Sequence, residues 1–237
     1  MISDATRVAI IPCLNEERSI GSVVEGARRH LGNVIVVDDG SMDRTAFIAE
    51  QMGASVVRHD VSRGKGAAIR TGLQRACGSG AQWALLLDGD GQHSPADIPA
   101  FFATAEKFHA SLVVGNRMEQ RSAMPWLRWR VNHWMSRRLS RLTGQNLPDS
   151  QCGFRLLNLK AMPALQLQTN HFQIESEILL SFAAKGETIA FVPIEVIYQG
   201  ENSKISPIRD SIRWFRWWKS ARRFMADHQK VNPARTP

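Results

Sequence analysis

Three consecutive leucines, Leu85 to Leu87, run directly into the acidic segment Asp88-Gly89-Asp90. An apolar run of this kind, bounded by turn residues, is typical of a strand that is buried on both faces, as in a parallel sheet. Because open α/β sheets bind their ligands beyond the carboxyl ends of such strands, the two carboxylates lie where chemistry is expected. Asp and Gly are also ordinary turn residues, so the segment alone fits a solvated turn as well as a site for a divalent cation.

Further short apolar runs precede and follow this one, and segments with the period of a helix separate them. Such alternation indicates βαβ units, so the predicted fold class is α/β, a single domain with a mostly parallel sheet flanked by helices. The predicted strands are Val8–Ile11 (ended by Pro12), Val34–Val37, Ser55–Arg58, Trp83–Leu87, Leu112–Val114, Phe154–Leu159 and Ile189–Pro193. The first predicted helix starts at Ser19. The other predicted helices cover Thr45–Met52, Gly64–Cys77, Pro95–Lys107, Pro125–Leu142, Ile174–Ala184 and Pro207 to about Phe224.

Composition limits the classes of protein that fit. The chain has 237 residues, of which 43% are hydrophobic, which suits a packed domain and excludes a disordered chain. Three isolated cysteines form neither a disulfide framework nor a metal-ligand pattern, so a reducing, cytosolic compartment is expected. We see no signal peptide and no run of apolar residues long enough to span a bilayer, and expect a soluble or peripheral protein.

The excess of positive charge indicates an anionic partner. The net charge is +8, and it concentrates in Arg117–Arg141 and Lys204–Arg223, which also hold six of the seven tryptophans. Nucleic acid, anionic lipid and a phosphate-rich substrate are the candidate partners. Two helices carry these segments, with predicted apolar stripes of Leu127, Val131, Met135, Leu139 and Leu142 in the first and Ile208, Ile212, Phe215 and Trp218 in the second. The second helix fits either a membrane interface or an ordinary helix docked on the domain.

Polar residues recur where the predicted strands end. Asn15 and Glu16 follow the first strand, Asp38 and Asp39 the second, Asp88 and Asp90 the fourth, and Arg117 the fifth. A parallel sheet gathers these groups along one edge, which would place acids for a nucleoside and a metal beside a base for phosphate. Asp38 and Asp43 fit equally well as helix caps or turn residues.

Seven short motifs in this order resemble the inverting family-2 glycosyltransferases, particularly the dolichol-phosphate-mannose synthase-like branch, which transfers sugars from nucleotide donors to polyprenyl phosphates. The resemblance covers Val8 to about Ser206. It implies a glycosyltransferase-A-type, Rossmann-like domain. The motifs are Ile11-Pro12-Cys13-Leu14-Asn15-Glu16, Val36-Val37-Asp38-Asp39-Gly40-Ser41, Arg63-Gly64-Lys65-Gly66, Asp88-Gly89-Asp90-Gly91-Gln92-His93, Gly115-Asn116-Arg117, Cys152-Gly153-Phe154-Arg155 and Ser203-Lys204.

The resemblance implies a binding site for a GDP- or UDP-linked sugar. Glu16 would accept hydrogen bonds from the ribose hydroxyls and Asp39 from the base, because carboxylates are pure acceptors. Lys65 and Lys204 would contact the diphosphate, although Gly64-Lys65-Gly66 also fits a solvated turn at a helix start. The other residues implied are Pro12, Leu14 and Val37 around the nucleoside, and Asp88, Gly89, Asp90 and Gln92 around Mg²⁺ or Mn²⁺.

The resemblance further implies that Arg117, together with Arg128 or Arg130, holds the acceptor phosphate. A phosphate monoester is largely dianionic at pH 7 and can attack without a strong general base. If the acceptor were a hydroxyl of another lipid or glycan, a base would be required, and Asp149 is the candidate; it also fits a turn. His93 is expected to be a loop residue. Together with Asp90, Arg117 and Asp149 form the predicted catalytic set.

The implied function is sugar transfer to a lipid-linked acceptor at the inner face of a membrane, by residues 1–206, with 207–226 as a basic aromatic amphipathic helix and 227–237 as a flexible tail. One departure is that Tyr198–Asn202 lacks the arginine that members acting on polyprenyl phosphates carry before the Ser-Lys pair. A nucleic-acid-binding protein is a remoter alternative, which would leave the ordered acids unexplained, so nucleic acid is not an expected partner. A sugar nucleotidyltransferase would need a Gly-rich, basic loop after the first strand, where this chain has Pro12-Cys13-Leu14-Asn15-Glu16.

Overall fold

The computed structural model describes residues 6–119, 124–162, 167–197 and 207–231, with the side chains of 212–227 in the last segment. Within these residues the apolar runs form one seven-stranded sheet. The strands are β1 (Arg7–Cys13), β2 (Val34–Asp38), β3 (Ser55–Arg58), β4 (Trp83–Leu86), β5 (Leu112–Asn116), β6 (Arg155–Asn158) and β7 (Ile189–Pro193). The helices are α1 (Ile20–Arg28), α2 (Thr45–Gln51), α3 (Lys65–Gly78), α4 (Ile98–Phe108, after a 3-10 turn at Pro95–Asp97), α5 (Trp126–Thr143), α6 (Ile174–Ala184) and α7 (Pro207–Val231).

The strand order fixes which loops meet. Across the sheet the order is β3-β2-β1-β4-β6-β5-β7. Strand β6 is antiparallel to β4 and to β5, and the other neighbouring pairs are parallel. Hence β1, β2, β4 and β5 all end at the same edge of the sheet. The predicted α/β domain with a mostly parallel sheet is confirmed, and β6 is the reversed strand.

Strand β1 does not end at Pro12, as the sequence predicted. It continues to Cys13, with Pro12 paired to Val37 of β2. On its other side, the pairing of β1 with β4 stops at Ile10. Because Pro12 lies beyond that pairing, its missing N–H removes no hydrogen bond between β1 and β4.

Strands β1 and β4 lie at the centre of the hydrophobic core. Ile10, Leu85 and Leu87 are at most 2% exposed. Helix α3 lies against β1 so closely that a Cβ on Gly72 would come within 2.3 Å of the Ile10 side chain. A glycine at this point therefore sets the distance between α3 and the sheet, and with it the position of the start of α3 at the carboxyl edge.

The inward face of α5 differs from the predicted stripe. Met135 and Leu139 are buried as predicted, whereas Leu127 is 59% exposed and Val131 37% exposed. Ser136 is buried instead, because its hydroxyl accepts a hydrogen bond from the Ser150 backbone N–H at 2.9 Å and bonds the Ser150 hydroxyl at 3.1 Å. This contact with the loop before β6 lies on the buried face of the helix.

Helix α7 docks on the domain through a face that differs in part from the predicted stripe, of which Trp218 packs against the core and stacks 5.1 Å from the Trp214 ring. Trp214, Ala221 and Met225 are buried, whereas Ile212 is 48% and Phe215 51% exposed. The Trp214 indole decides this face, because it donates to the Ser176 hydroxyl at 3.2 Å and its ring packs 5.4 Å from that of Trp134. The helix also reaches Val231, beyond the predicted end at about Phe224, since the sequence has no helix breaker before Pro233. The Ile208 side chain lies outside the described residues.

None of the helices in the described residues is both long and apolar enough to cross a membrane.

Replacement of Gly72 with Ala is expected to destabilise the domain by about 1–3 kcal/mol, although Ala is the better helix former. The added methyl group would meet Ile10 in a filled core. Gly78→Ala is the matched control, because nothing lies within 4 Å of its Cβ position at the exposed end of the same helix. Urea unfolding of both variants checks this, and equal stability would contradict the close contact between α3 and β1.

Candidate active site at the carboxyl edge of the sheet

The loops after β1 and β2 hold each other at this edge. The Asn15 N–H donates to the Ser41 hydroxyl, and the Glu16 N–H donates to the Thr45 hydroxyl, both at 2.8 Å. Asn15 has φ of 53°, a left-handed conformation that asparagine tolerates. This turn leaves Leu14 and Glu16 half-buried on the loop after β1, at the carboxyl edge of the sheet.

Two residues predicted to line a nucleoside lie deeper. Pro12 and Val37 are paired inside the sheet, and Val37 is fully buried. Their side chains therefore support the loops above them and offer little surface for direct contact with a ligand. Pro12 lies inside the sheet because β1 continues to Cys13, whereas Val37 already belonged to the predicted second strand.

Asp39 holds the loop that leads into α3. Its carboxylate accepts hydrogen bonds from the backbone N–H groups of Arg63 and Gly64 and from the Ser62 hydroxyl, and one oxygen lies 2.7 Å from the His59 Nδ1. Burial would raise the pKa of Asp39, but these hydrogen bonds lower it below the usual value. Asp39 is only 3% exposed. The sequence predicted a contact with the base, whereas the structure gives this carboxylate partners within the protein.

Asp38 and Asp43 have the turn roles that the sequence left open. The Asp38 carboxylate accepts from the Ser41 N–H at 2.9 Å and is fully buried. The Asp43 carboxylate accepts from the Thr45 N–H at 3.0 Å. Both acids stabilise the loop between β2 and α2.

The start of α3 is closed by protein atoms. Gly64 has φ of 97°, and its N–H donates to Asp39. The Gly66 N–H donates to the Asn170 carbonyl at 2.9 Å. The interpretation of Gly64-Lys65-Gly66 as an open, solvated turn is therefore wrong, because residues 169–171 from the segment before α6 pack against it.

Lys65 and Asp88 meet above the ends of β1 and β4, and Glu175 joins them. The Lys65 ammonium lies 2.8 Å from Asp88 Oδ1 and 2.9 Å from Glu175 Oε1. Burial would lower the pKa of Lys65, but the charges of the two carboxylates raise it above its usual value. Burial would raise the pKa of Asp88, but chiefly the charge of Lys65 lowers it. Lys65 and Asp88 are therefore both charged at neutral pH.

Glu175 was not predicted from the sequence as a residue of the site. It lies in the first turn of α6 and is 4% exposed, on the same face as the buried Ile178, Leu179 and Phe182. An acid at such a position in an apolar stripe is the signal that could have identified it. The backbone at Glu175 is held by Arg155, whose buried guanidinium also donates to the carbonyls of Ser150 and Cys152.

The segment Asp88 to Gln92 presents oxygen ligands. Asp88, Asp90 and Gln92 are each partly exposed, and the Gln92 N–H donates to Asp90 Oδ1 at 3.0 Å. Gly89 packs against β1, since a Cβ there would come within 2.9 Å of the Cys13 Cβ. In the described part of the chain, no cluster of three or more His, Cys, Asp or Glu side chains could hold a metal ion. Two carboxylates and an amide oxygen fit Mg²⁺ or Mn²⁺ only if substrate phosphates complete the ligand set.

Arg117 and Asp149 form a buried pair beside these acids. The Arg117 Nε and Nη2 donate to the two oxygens of Asp149 at 2.8 and 2.9 Å, and the Arg117 N–H also donates to Asp149. Arg117 is 6% exposed and Asp149 fully buried. Burial would raise the pKa of Asp149, but the charge and hydrogen bonds of Arg117 lower it. Asp149 is thus a poor general base, contrary to its nomination from the sequence for a hydroxyl acceptor.

The remaining predicted residues are distributed as follows. His93 is 4% exposed, packs on Phe154, and burial lowers its pKa to about 4, so it is neutral at pH 7. Arg128 is half-buried, whereas Arg130 is exposed and lies over the Trp126 ring at 5.6 Å. Lys204 lies outside the described residues, as does the segment 198–202.

Comparison with known proteins identifies the family. The model of the family "Glycosyl transferase family 2" matches residues 8–165. UDP-N-acetylglucosamine--dolichyl-phosphate N-acetylglucosaminyltransferase of Methanococcus voltae is 31% identical over 220 residues, which cover 83% of this chain and 88% of that protein. Dodecaprenyl-phosphate galacturonate synthase of Rhizobium johnstonii is 29% identical and aligns with 67% of this chain and 49% of its own length.

Solved structures agree on the fold. Glucosyl-3-phosphoglycerate synthase from Mycobacterium tuberculosis, in complex with Mn²⁺, UDP-glucose and phosphoglyceric acid, superposes with a TM-score of 0.74. It is 21% identical, and the match covers 92% of this chain and 79% of that one. The fold is therefore that of the glycosyltransferase-A type, as the motifs implied. The chain belongs to glycosyl transferase family 2, and it is a glycosyltransferase related to the polyprenyl-phosphate branch of that family.

Proposed function

We propose that this protein is an inverting glycosyltransferase that moves a sugar from a nucleoside-diphosphate donor to a polyprenyl phosphate at the cytoplasmic face of a membrane. The observation that carries the proposal is the convergence of Asp88 and Asp90 with the Arg117–Asp149 pair at one edge of the sheet. The names of the two relatives, which include dolichyl phosphate and dodecaprenyl phosphate as acceptors, support it.

On the donor side, Glu16 is suited to receive the ribose hydroxyls, because it is partly exposed on a loop that the Thr45 hydroxyl holds in place. Asp39 acts by shaping the loop 62–64 that borders the same space. Leu14 is half-buried on the same loop as Glu16. The name of the Methanococcus voltae relative favours a UDP-linked donor, and a GDP-linked donor is the alternative.

Asp88, Asp90 and Gln92 hold Mg²⁺ or Mn²⁺ in this proposal, with the donor diphosphate supplying further oxygen ligands. The cation would act as a Lewis acid that stabilises the charge on the departing nucleoside diphosphate. Lys65 and Lys204 are the cationic side chains proposed for the diphosphate itself.

The pairing of Asp149 with Arg117 favours a phosphate acceptor over a hydroxyl acceptor. A hydroxyl nucleophile needs a base, and the pairing of Asp149 with Arg117 makes it a poor one. A phosphate monoester carries its negative charge already. We therefore assign Arg117 to the acceptor phosphate, positioned by Asp149, with Arg128 or Arg130 of α5 as the second cation.

The exposed residues of α5 and α7 suit a membrane surface. Trp126, Leu127, Ile212 and Phe215 are 48–68% exposed, and arginines alternate with them in the sequence. Aromatic and aliphatic side chains enter the headgroup region of a bilayer, and arginines between them attract anionic lipids. The docking of α7 through Trp214 leaves Ile212 and about half of Phe215 exposed for this contact, while the Phe215 ring also packs 5.4 Å from that of Trp134.

The donor and metal assignment predicts that Asp88→Asn lowers transfer by about 10²-fold or more, because a metal ligand becomes neutral. The assay supplies purified protein with a panel of UDP- and GDP-sugars, Mg²⁺ or Mn²⁺, and a detergent-dispersed polyprenyl phosphate. Asp60→Asn is the matched control, because Asp60 is an exposed acid in the loop after β3 at the same edge. Undiminished transfer by Asp88→Asn would contradict the metal site, and transfer to polyprenols but not to their phosphates would contradict the acceptor.

The membrane assignment predicts binding to anionic vesicles that weakens as salt rises. Ile212→Ser is expected to lower the partition constant about tenfold, since it removes one inserting apolar side chain. Phe47→Ser is the control, because Phe47 of α2 is 58% exposed and lies outside α5 and α7. Co-sedimentation with vesicles of phosphatidylglycerol and phosphatidylcholine measures both, and equal partitioning of the two variants would argue against this surface.

A further inference from the structure

The Lys65 ammonium occupies the oxygens that a metal ion would need. It lies 2.8 Å from Asp88 Oδ1 and donates to Asp88 Oδ2 at 3.0 Å, so it engages both oxygens of that carboxylate. Its third contact is Glu175 Oε1 at 2.9 Å. The Lys65 side chain is 17% exposed, and that of Asp88 is 21% exposed.

The surrounding backbone holds the lysine in this place. A Cβ on Gly153 would come within 3.0 Å of the Lys65 Nζ and 2.6 Å of Asp88 Oδ2, so the Gly153 backbone lies directly beside the ion pair. The Phe172 ring lies 5.6 Å from the ammonium on another side. The Gly66 N–H is tied to Asn170, which fixes the first turn of α3 and therefore the Cα of Lys65.

Two cations on one carboxylate repel each other strongly, most of all where solvent is scarce. A divalent ion that binds Asp88 must therefore approach an ammonium already at contact distance, unless Lys65 moves. Glu175 gives it a second partner. Glu175 Oε2 is buried and accepts no hydrogen bond from the described residues, so this carboxylate has capacity to keep the ammonium when Asp88 releases it.

We propose that Lys65 competes with the metal ion for Asp88 when no nucleotide is bound, and that Glu175 retains Lys65 when the divalent cation and the donor diphosphate enter together. This inference rests on the metal site of the proposed function. Its consequence is that the enzyme without nucleotide binds a free divalent cation weakly. The diphosphate supplies new anionic partners for Lys65, so nucleotide and metal bind cooperatively. Lys65 and Glu175 are positioning residues in this role.

The test is a titration of the full-length protein with Mn²⁺, in which the free ion is measured by electron paramagnetic resonance without and with UDP or GDP. Lys65→Met is expected to bind Mn²⁺ about tenfold more tightly than the wild type without nucleotide, because the competing charge is gone. The increase in the Mn²⁺ affinity of Lys65→Met on adding nucleotide is expected to be smaller than the increase for the wild type. Lys65→Arg, which keeps the charge, is expected to bind Mn²⁺ without nucleotide as weakly as the wild type.

Arg75→Met is the matched control, because Arg75 is exposed in the last turn of the same helix, so the same formal charge is lost away from Asp88. If Lys65→Met destabilises the fold by leaving Glu175 unpaired, the double variant Lys65→Met with Glu175→Gln removes both charges and is expected to bind Mn²⁺ more tightly as well. Circular dichroism confirms the fold of each variant.

Unchanged or weaker Mn²⁺ binding by a folded variant that lacks Lys65 would overturn the inference, since a merely structural lysine predicts that direction. In that case, binding of Mn²⁺ by the wild type and its loss in Asp88→Asn would leave the proposed metal site intact. If the wild type bound no Mn²⁺ even with nucleotide, the metal site itself would fail and this role of Lys65 with it.

Discussion

Parallel pairing of β1 with β2 and with β4 is the constraint on which the site depends. Parallel strands end at the same edge, so the loops that follow them must share one surface. Asp39 and Asp88 follow two of these strands, so the strand pairing alone brings them to that surface. The antiparallel strand β6 adds a second constraint, because it spaces β5 and Arg117 one strand away from β4.

Buried charged side chains then hold the loops in fixed positions relative to one another. Lys65 joins the start of α3 to the end of β4 and to α6, Arg117 joins the end of β5 to the loop before β6, and Arg155 joins that loop to α6. Burial of ions costs several kcal/mol each unless they are well paired, and such pairs often stabilise a fold less than apolar side chains would. Their concentration at one edge is therefore better explained by function than by stability.

This arrangement also bears on the chemistry. Asp149 is fully occupied by Arg117, whereas Asp88 is shared with a lysine that has a second partner. One carboxylate is thus fixed and the other can exchange its partner. A fixed arginine suits recognition of an acceptor phosphate, and an exchangeable carboxylate suits a cation that comes and goes with the donor.

The sequence alone determined the strands, most of the helices and the family, because apolar runs, turn residues and short motifs are local properties. It also determined that the acids at the strand ends would gather, since that follows from parallel pairing. Other features were decided by the tertiary structure: the reversal of β6, the partnership of Lys65 with Glu175, the capture of Asp149 by Arg117, and the buried faces of α5 and α7. Each depends on which groups from distant parts of the chain meet in a poorly solvated place. There a hydrogen bond such as that of Trp214 or Ser136, or the partner of a buried charge, outweighs the local apolar pattern.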